Sequence, residues 1–179
     1  GMEEFFIKMY THPEVMQAII QKVSDFYYEI AVRFFETAGD LLDIFFFGDD
    51  FGSQQGPLIS LKHWRSFAKP QLKRFVDLGH QAGLQVMLHS CGAVRPLIPD
   101  MLEIGLDALN PVQPLAKGMD LQELKTTFGD RITFHGALDH QHTLALGSVE
   151  EVRAEVRRVI DIMAPGGGYC LAPSHDLLL

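Results

Sequence analysis

The sequence predicts an α/β protein, more narrowly the C-terminal part of a (β/α)8 TIM-type barrel with about five parallel strands and flanking helices. Three observations lead to this prediction. Short apolar segments alternate with amphipathic helical segments, polar residues follow each apolar segment, and five such segments occur. Short buried strands separated by helices are typical of a parallel sheet that is covered by helices.

Start and stop signals locate the individual elements. Proline in the first turn opens a helix at His12-Pro13-Glu14, Ser60 can cap the next helix, and Ser148 with Glu151 forms a capping box. Pro70 should kink or split the second helix. The predicted helices span residues 12–38, 61–82, 94–103, 120–128 and 148–163, and the predicted strands span 42–47, 85–89, 106–109, 131–134 and 169–172.

Polar residues at the strand ends decide between two architectures. An open doubly wound sheet uses mainly the strands beside one switch point, whereas a barrel gathers groups from many strands at their carboxyl ends. Here every predicted strand is followed by reactive or hydrogen-bonding residues, so the barrel is favoured. These residues are Asp49 and Asp50, His89 and Cys91, Asn110 and Gln113, His135 and Asp139, and His175.

The number of strands sets the size of the predicted unit. A closed barrel of this type needs eight strands, whereas the chain supplies five and has no helix after the last one. We therefore expect residues 1–179 to form a single partial (β/α) barrel domain that self-associates to cover unpaired edges and apolar surface. Gly1 before Met2 resembles the remnant of a removed purification tag.

Composition argues against several classes of function. The formal net charge of -8 argues against nucleic-acid binding, because phosphate contacts require clustered lysine and arginine. No apolar run reaches the roughly 20 residues that span a bilayer, so no membrane association is expected. With two cysteines and no secretory signal before the first helix, we expect a cytoplasmic protein.

The tripeptide His89-Ser90-Cys91 is the most specific chemical signal in the sequence. Residues i and i+2 of an extended strand point to the same side, so an imidazole and a thiolate would leave the strand end together. Such a pair suits two adjacent ligands of a tetrahedral zinc site, and His175 is the third candidate ligand. The alternative is ordinary packing with a hydrogen-bonded imidazole.

Other polar residues are candidates for catalysis or substrate binding. Asp49 and Asp50 could orient a substrate, act as acid or base, or bind a metal, and capping of nearby amides is an equal alternative. Asp139 is the third catalytic candidate and is expected to position a ligand or a neighbouring side chain. The candidate substrate-binding residues are Gln54, Gln55, Asn110 and Gln113, where ligand contact and turn chemistry are equally plausible for the last two.

A few residues are expected to have structural roles. Cys170 lies within the last predicted strand, which favours a small buried apolar side chain. His140 and His142 are expected in a histidine-rich surface loop, and Phe45-Phe46-Phe47 is expected in the core and barrel wall.

Several motifs fall in the order of a known family. They are Gly48-Asp49-Asp50-Phe51-Gly52, Gly56-Pro57-Leu58-Ile59-Ser60, His89-Ser90-Cys91-Gly92, Asn110-Pro111-Val112-Gln113 and Leu171-Ala172-Pro173-Ser174-His175. From about Thr11 onward the chain resembles the C-terminal half of the uroporphyrinogen decarboxylase superfamily. The branch it resembles is related to cobalamin-dependent, zinc-containing methyltransferases.

The resemblance implies a barrel that binds zinc through His89, Cys91 and a later residue, and that works with a corrinoid on a partner protein. The later ligand in the family is a cysteine that falls near Ser174-His175, and His175 could replace it. The implied activity is methyl transfer to or from the corrinoid, with a small-molecule thiol, methoxy or methylamine partner. A uroporphyrinogen decarboxylase-like enzyme and a truncated, non-catalytic remnant are the alternatives.

Overall fold

The structure is a computed structural model that describes residues 1–177. The helices are α1 (Met2–Thr11), α2 (Pro13–Ala38), α3 (Leu61–His63), α4 (Lys69–Gln81), α5 (Ile98–Glu103), α6 (Leu121–Phe128), α7 (Thr143–Leu146) and α8 (Val149–Met163). The strands are β1 (Ile44–Gly48), β2 (Gln85–His89), β3 (Ala108–Val112), β4 (Thr133–Leu138) and β5 (Tyr169–Pro173). A π-helix, Trp64–Ala68, joins α3 to α4, and 3-10 turns occupy Gly39–Leu41 and Arg95–Leu97. Within residues 1–177, no helix combines the length and apolar character that crossing a membrane requires.

The five strands form one sheet in chain order, β1-β2-β3-β4-β5, which confirms the predicted α/β class with parallel strands and flanking helices. β2 and β3 pair in parallel with His89 opposite Asn110, and β4 and β5 pair in parallel with Phe134 opposite Tyr169. Because parallel strands end at the same edge of a sheet, the residues that follow them are gathered there.

The chain divides into two compact units. One comprises Gly1–Phe45 and Ile59–Gln85, and the other comprises Phe46–Leu58 and the chain from Val86 onward. That residues 1–179 form a single partial barrel domain stays a prediction.

The first unit is built around the long helix α2, which packs against α1 and α4. Met9, Met16 and Phe67 are buried together in its core. Arg74 of α4 binds the Asp25 carboxylate of α2 at 2.7 Å. The same guanidinium lies 4.9 Å from the centre of the Tyr28 ring, so one side chain holds α4 to α2 by charge and by ring contact.

The second unit has its core between the sheet and the helices α6 and α8. Leu88, Leu109 and Phe134 are fully buried on β2, β3 and β4. Leu124 of α6 and Met163 of α8 are also fully buried, α6 packs against α8, and α8 packs against β4. This apolar layer fixes the strands whose ends form the candidate site.

Three helix starts agree with the local sequence signals, and one helix was not predicted. Both halves of the Ser148 capping box are formed, and Ser60 accepts a hydrogen bond from the His63 backbone. The helix ahead of Pro70 is interrupted by the π-helix, as the proline predicts. The separate helix α1 was not predicted, although Pro13 opens α2 as expected.

Two burial predictions are wrong, and both fall on edge strands. Cys170 on β5 is exposed, and Phe46 on β1 is 51% exposed. β1 and β5 are the first and last strands of the sheet, so each pairs on one side only. Apolar composition indicates a strand, but it does not reveal whether that strand lies at an edge.

Leu124→Ala is expected to destabilise the protein by about 2–5 kcal/mol, because truncating a fully buried leucine leaves a cavity. Leu146 is 80% exposed, so Leu146→Ala should change the unfolding free energy by less than about 0.5 kcal/mol. Urea unfolding of both variants against the parent chain measures the difference. Equal effects would contradict the described packing of α6.

Candidate metal centre

Asp50, His89 and Cys91 form a compact group of metal-binding side chains at the ends of β1 and β2. One ligand atom from each residue lies within 4.8 Å of the others. The Cys91 sulfur is 3.4 Å from His89 Nε2, and His89 Nε2 is 3.6 Å from the Asp50 carboxylate. The structure therefore brings together two of the three predicted metal ligands and adds Asp50, which was predicted as a catalytic residue.

Two of the separations in this group fit a tetrahedral zinc ion. Zinc bonds of about 2.0–2.3 Å at tetrahedral angles place neighbouring ligand atoms roughly 3.3–3.6 Å apart. The separations of His89 Nε2 from the Cys91 sulfur and from the Asp50 carboxylate, 3.4 and 3.6 Å, fall at this spacing. A carboxylate, an imidazole and a thiolate are also a donor set that zinc accepts.

The backbone after β1 holds Asp50 against the turn after β2. The Cys91 backbone N–H donates to the Asp50 carboxylate at 2.9 Å, and the Phe51 N–H donates to the buried Ser90 hydroxyl at 3.0 Å. A Cβ on Gly92, whose φ is +85°, would lie 2.6 Å from the Gly52 carbonyl carbon. Only glycine allows this close approach, so the motif glycines determine where Asp50 lies.

Asn110 fixes the tautomer of His89. The Asn110 side-chain oxygen accepts a hydrogen bond from His89 Nδ1 at 2.7 Å, and this places the His89 proton on Nδ1. The Nε2 lone pair is left facing Cys91 and Asp50, as a metal ligand requires. The Asn110 amide nitrogen in turn donates to His135 Nδ1 at 2.6 Å.

The electrostatics of the site favour a bound cation. Burial and the Asp50 charge raise the pKa of the Cys91 thiol to about 11. Loss of solvation and the same charge raise the pKa of the Asp49 carboxyl to about 6. Burial lowers the pKa of His135, which keeps that imidazole neutral at pH 7. Negative charge is thus disfavoured here in the absence of a compensating cation.

His175 lies next to this group but outside it. Its ring centre is 6.4 Å from that of His89 and 5.6 Å from that of His140. His140 was expected in a surface loop, yet it is partly buried and its Nδ1 lies 2.9 Å from the Ser174 hydroxyl. That hydroxyl donates to the Leu138 carbonyl, so His140 donates to Ser174. No spacing pattern in the sequence indicates this contact.

The remaining predicted residues lie near the strand ends in different roles. Gln113 is buried, accepts from the Gly92 N–H and donates to the Ser174 carbonyl, so it ties two loops of the site together. Asp139 accepts hydrogen bonds from backbone N–H groups at the start of α7. Burial alone would raise the pKa of Asp139, but these hydrogen bonds hold it below its usual range. Gln54 and Gln55 are exposed on the turn after β1.

Comparison with known proteins finds relatives that have two different activities. The family model Uroporphyrinogen decarboxylase (URO-D) matches residues 1–179. The methylcobamide:CoM methyltransferase MtaA of Methanosarcina barkeri is 29% identical over 124 residues, or 67% of this chain and 34% of that protein. A uroporphyrinogen decarboxylase of Chlorobium luteolum is 26% identical over 154 residues, or 85% of this chain and 40% of that protein. The chain spans about a third to two-fifths of the length of these curated relatives.

A solved structure shares the fold. A methyltransferase from Methanosarcina mazei superposes with a TM-score of 0.73 and 21% identity, covering 99% of this chain and 48% of that one. This likeness confirms the predicted fold class.

Gly92→Ala and Gly166→Ala form a matched pair, since both glycines have positive φ, of 85° and 78°. A Cβ at Gly166 meets nothing within 4 Å, so that variant should lose about 1–2 kcal/mol of unfolding free energy through backbone strain alone. Gly92→Ala should lose about 1–3 kcal/mol more, because the Cβ collides with the Gly52 backbone. Denaturant unfolding measures both, and similar losses would contradict the close approach.

Proposed function

Because this chain belongs to the uroporphyrinogen decarboxylase (URO-D) family, we propose that its site binds zinc and serves methyl transfer to or from a corrinoid cofactor. The supporting observation is the mutual proximity of Asp50, His89 and Cys91. The methyl donor or acceptor would be a thiol, methoxy compound or methylamine. The methylcobamide:CoM methyltransferase among the relatives supports the transferase branch.

His89 and Cys91 are the central ligands in this proposal, and Asp50 and His175 complete the set. Asp50 already lies at ligand spacing from His89. His175 is exposed and stands beside His89, so it is our candidate for a further ligand or a substrate contact. When bound, zinc would act as a Lewis acid that lowers the pKa of a thiol or polarises a leaving group.

The residues around the proposed ligands hold them in position and set their protonation. Asn110 keeps the His89 Nε2 lone pair available, and Gln113 holds the Gly92 turn in place. Asp49, with a pKa raised to about 6, is a carboxyl group that can exchange a proton near neutral pH. We assign Asn110 and Gln113 positioning roles, and Asp139 a role in holding the loop that presents His140.

The partner would be a separate corrinoid protein. A corrinoid is too large to be enclosed by this set of side chains, and it would have to approach the exposed edge where Asp50 and His175 lie. A small-molecule methyl donor or acceptor would bind between that cofactor and the ligands. Gln54 and Gln55 are exposed on the neighbouring turn and are our candidates for polar contacts with it.

The decarboxylase alternative has less support from the site. A tetrapyrrole with several carboxylates calls for cationic side chains that face the strand ends. Arg95 is the arginine that follows the carboxyl end of a strand most closely in sequence, and its guanidinium is 3.3 Å from the Glu123 carboxylate. The zinc proposal, unlike the decarboxylase alternative, gives a role to the grouping of Asp50, His89 and Cys91.

We expect the purified chain to bind one zinc ion, and we expect His89→Ala and Cys91→Ala to lose it. Asn110→Ala should weaken binding by about 10–100-fold, because it releases the His89 ring. His142→Ala is the control, since the His142 side chain is 70% exposed and outside the group. Elemental analysis and competition with a chromophoric chelator measure occupancy and affinity. Equal zinc binding by His89→Ala and His142→Ala would exclude the proposed site.

Zinc binding should release about one proton per ion at pH 7, and its apparent affinity should rise about tenfold per pH unit. The reason is that the Cys91 thiol, with a pKa of about 11, is protonated in the metal-free protein and must ionise on binding. Calorimetry in two buffers of different ionisation enthalpy counts the protons. Cys91→Asp is the control, because a carboxyl group ionises at a far lower pH than a thiol, so this variant should bind zinc with less proton release.

Methyl transfer itself is tested with methylcobalamin and 2-mercaptoethanesulfonate, a thiol. Zinc-loaded protein should convert methylcobalamin to demethylated cobalamin, followed by its visible spectrum, and the Cys91→Ala variant should not. A zinc-loaded, folded protein that leaves every thiol, methoxy and methylamine partner unchanged would contradict the methyl-transfer proposal while leaving the metal site intact.

A further inference from the structure

Helix α2 has an exposed apolar stripe along most of its 26 residues. The stripe is formed by six side chains that are 46–62% exposed, namely Val15, Ile19, Val23, Phe26, Ile30 and Phe34. At 100° per residue these side chains fall within an arc of about 100°, and they extend over about 28 Å of helix. An exposed apolar surface of this length is typical of an interaction site.

The spacing of the side chains in the stripe is symmetric about its midpoint. The steps between successive members are 4, 4, 3, 4 and 4 residues, and the midpoint lies between Ser24 and Asp25. A second α2 placed antiparallel about that midpoint would set Val15 against Phe34, Ile19 against Ile30 and Val23 against Phe26 of the other copy. Self-complementary pairing of this kind is what a twofold interface requires.

The shape of the helix fits the same arrangement. Val15, Ile19 and Val23 form one i, i+4 ridge, and Phe26, Ile30 and Phe34 form the other. A shallow groove of about 560 Å³ runs beside the first ridge, where Ala18 leaves room. The antiparallel pairing places the aromatic ridge of one copy against this groove of the other.

The charges beside the stripe are complementary across the same axis. Lys22 and Glu29 are exposed on one flank. In an antiparallel twofold pair like flanks meet, and Lys22 of one copy comes within about 3 Å, along the helix axis, of Glu29 of the other. The symmetry forms this ion pair twice, whereas the like charges lie farther apart.

We propose that two copies of this chain associate through an antiparallel α2–α2 interface that is centred between Ser24 and Asp25. The six apolar side chains expose on the order of 500 Å² per copy, so with their flanks the pair reaches the roughly 1,000 Å² of a specific interface. This inference is independent of the proposed catalytic function. In this proposal the predicted self-association uses the exposed face of α2, and not the open edges of the sheet.

The first test is the oligomeric state of the full chain, by sedimentation velocity and light scattering. The parent chain should be a dimer, and Ile19→Glu/Ile30→Glu should raise its dissociation constant by about tenfold or more, because carboxylates would be buried in the interface. The control is Ile7→Glu on α1, which makes the same substitution at a 53% exposed site off the stripe and should remain dimeric. Circular dichroism checks that each variant keeps its helices.

The second test is a charge exchange, which does not alter the apolar surface. Lys22→Glu and Glu29→Lys should each weaken the dimer, and the double variant should restore it, because the pairs are re-formed with opposite polarity. A monomeric parent chain, a larger assembly, or a dimer indifferent to Ile19→Glu/Ile30→Glu would overturn the proposal. Failure of the double variant to recover would overturn the antiparallel pairing.

Discussion

The candidate site depends on one backbone contact, where Gly52 meets Gly92. No side chain separates the loop after β1 from the loop after β2, so the Asp50 carboxylate reaches the Cys91 N–H and Ser90 reaches the Phe51 N–H. A residue with a Cβ at either position would force the two loops apart. The distances between Asp50, His89 and Cys91 then follow from strand pairing and from this contact together.

The same contact explains the charge properties of the site. It brings the Asp50 carboxylate close to Cys91, and Asp49 is its neighbour in the chain. The Asp50 charge and the loss of solvation therefore raise the pKa of both the Cys91 thiol and the Asp49 carboxyl group. In the protein alone, the thiol remains protonated and one carboxyl group takes up a proton more readily than usual. A divalent cation would reverse both preferences, which is why the electrostatics and the geometry point to the same kind of ligand.

The sequence was sufficient for the succession of helices and strands along the chain and for the proximity of His89 to Cys91, because hydrophobic patterns and the i, i+2 rule are local. It also marked Asp50 and Asn110 as residues at strand ends. It could not assign their contacts, since these depend on the register between β2 and β3 and on the approach of two loops. The burial of Cys170 and Phe46 was mispredicted for a related reason, because edge position is a property of the whole sheet. His140 is partly buried beside Ser174 and His175, which come 34 and 35 residues later in the chain.

The hydrogen bonds through Asn110 have a fixed direction. His89 donates to the Asn110 oxygen, and the Asn110 nitrogen donates to His135 Nδ1, so a neutral His135 must hold its own proton on Nε2. The ring therefore offers a donor, and not an acceptor, to whatever molecule lies beside it. A molecule that contacts the His135 Nε2–H must therefore offer a lone pair to it, and this requirement is transmitted through Asn110 from the tautomer that the proposed metal site requires of His89.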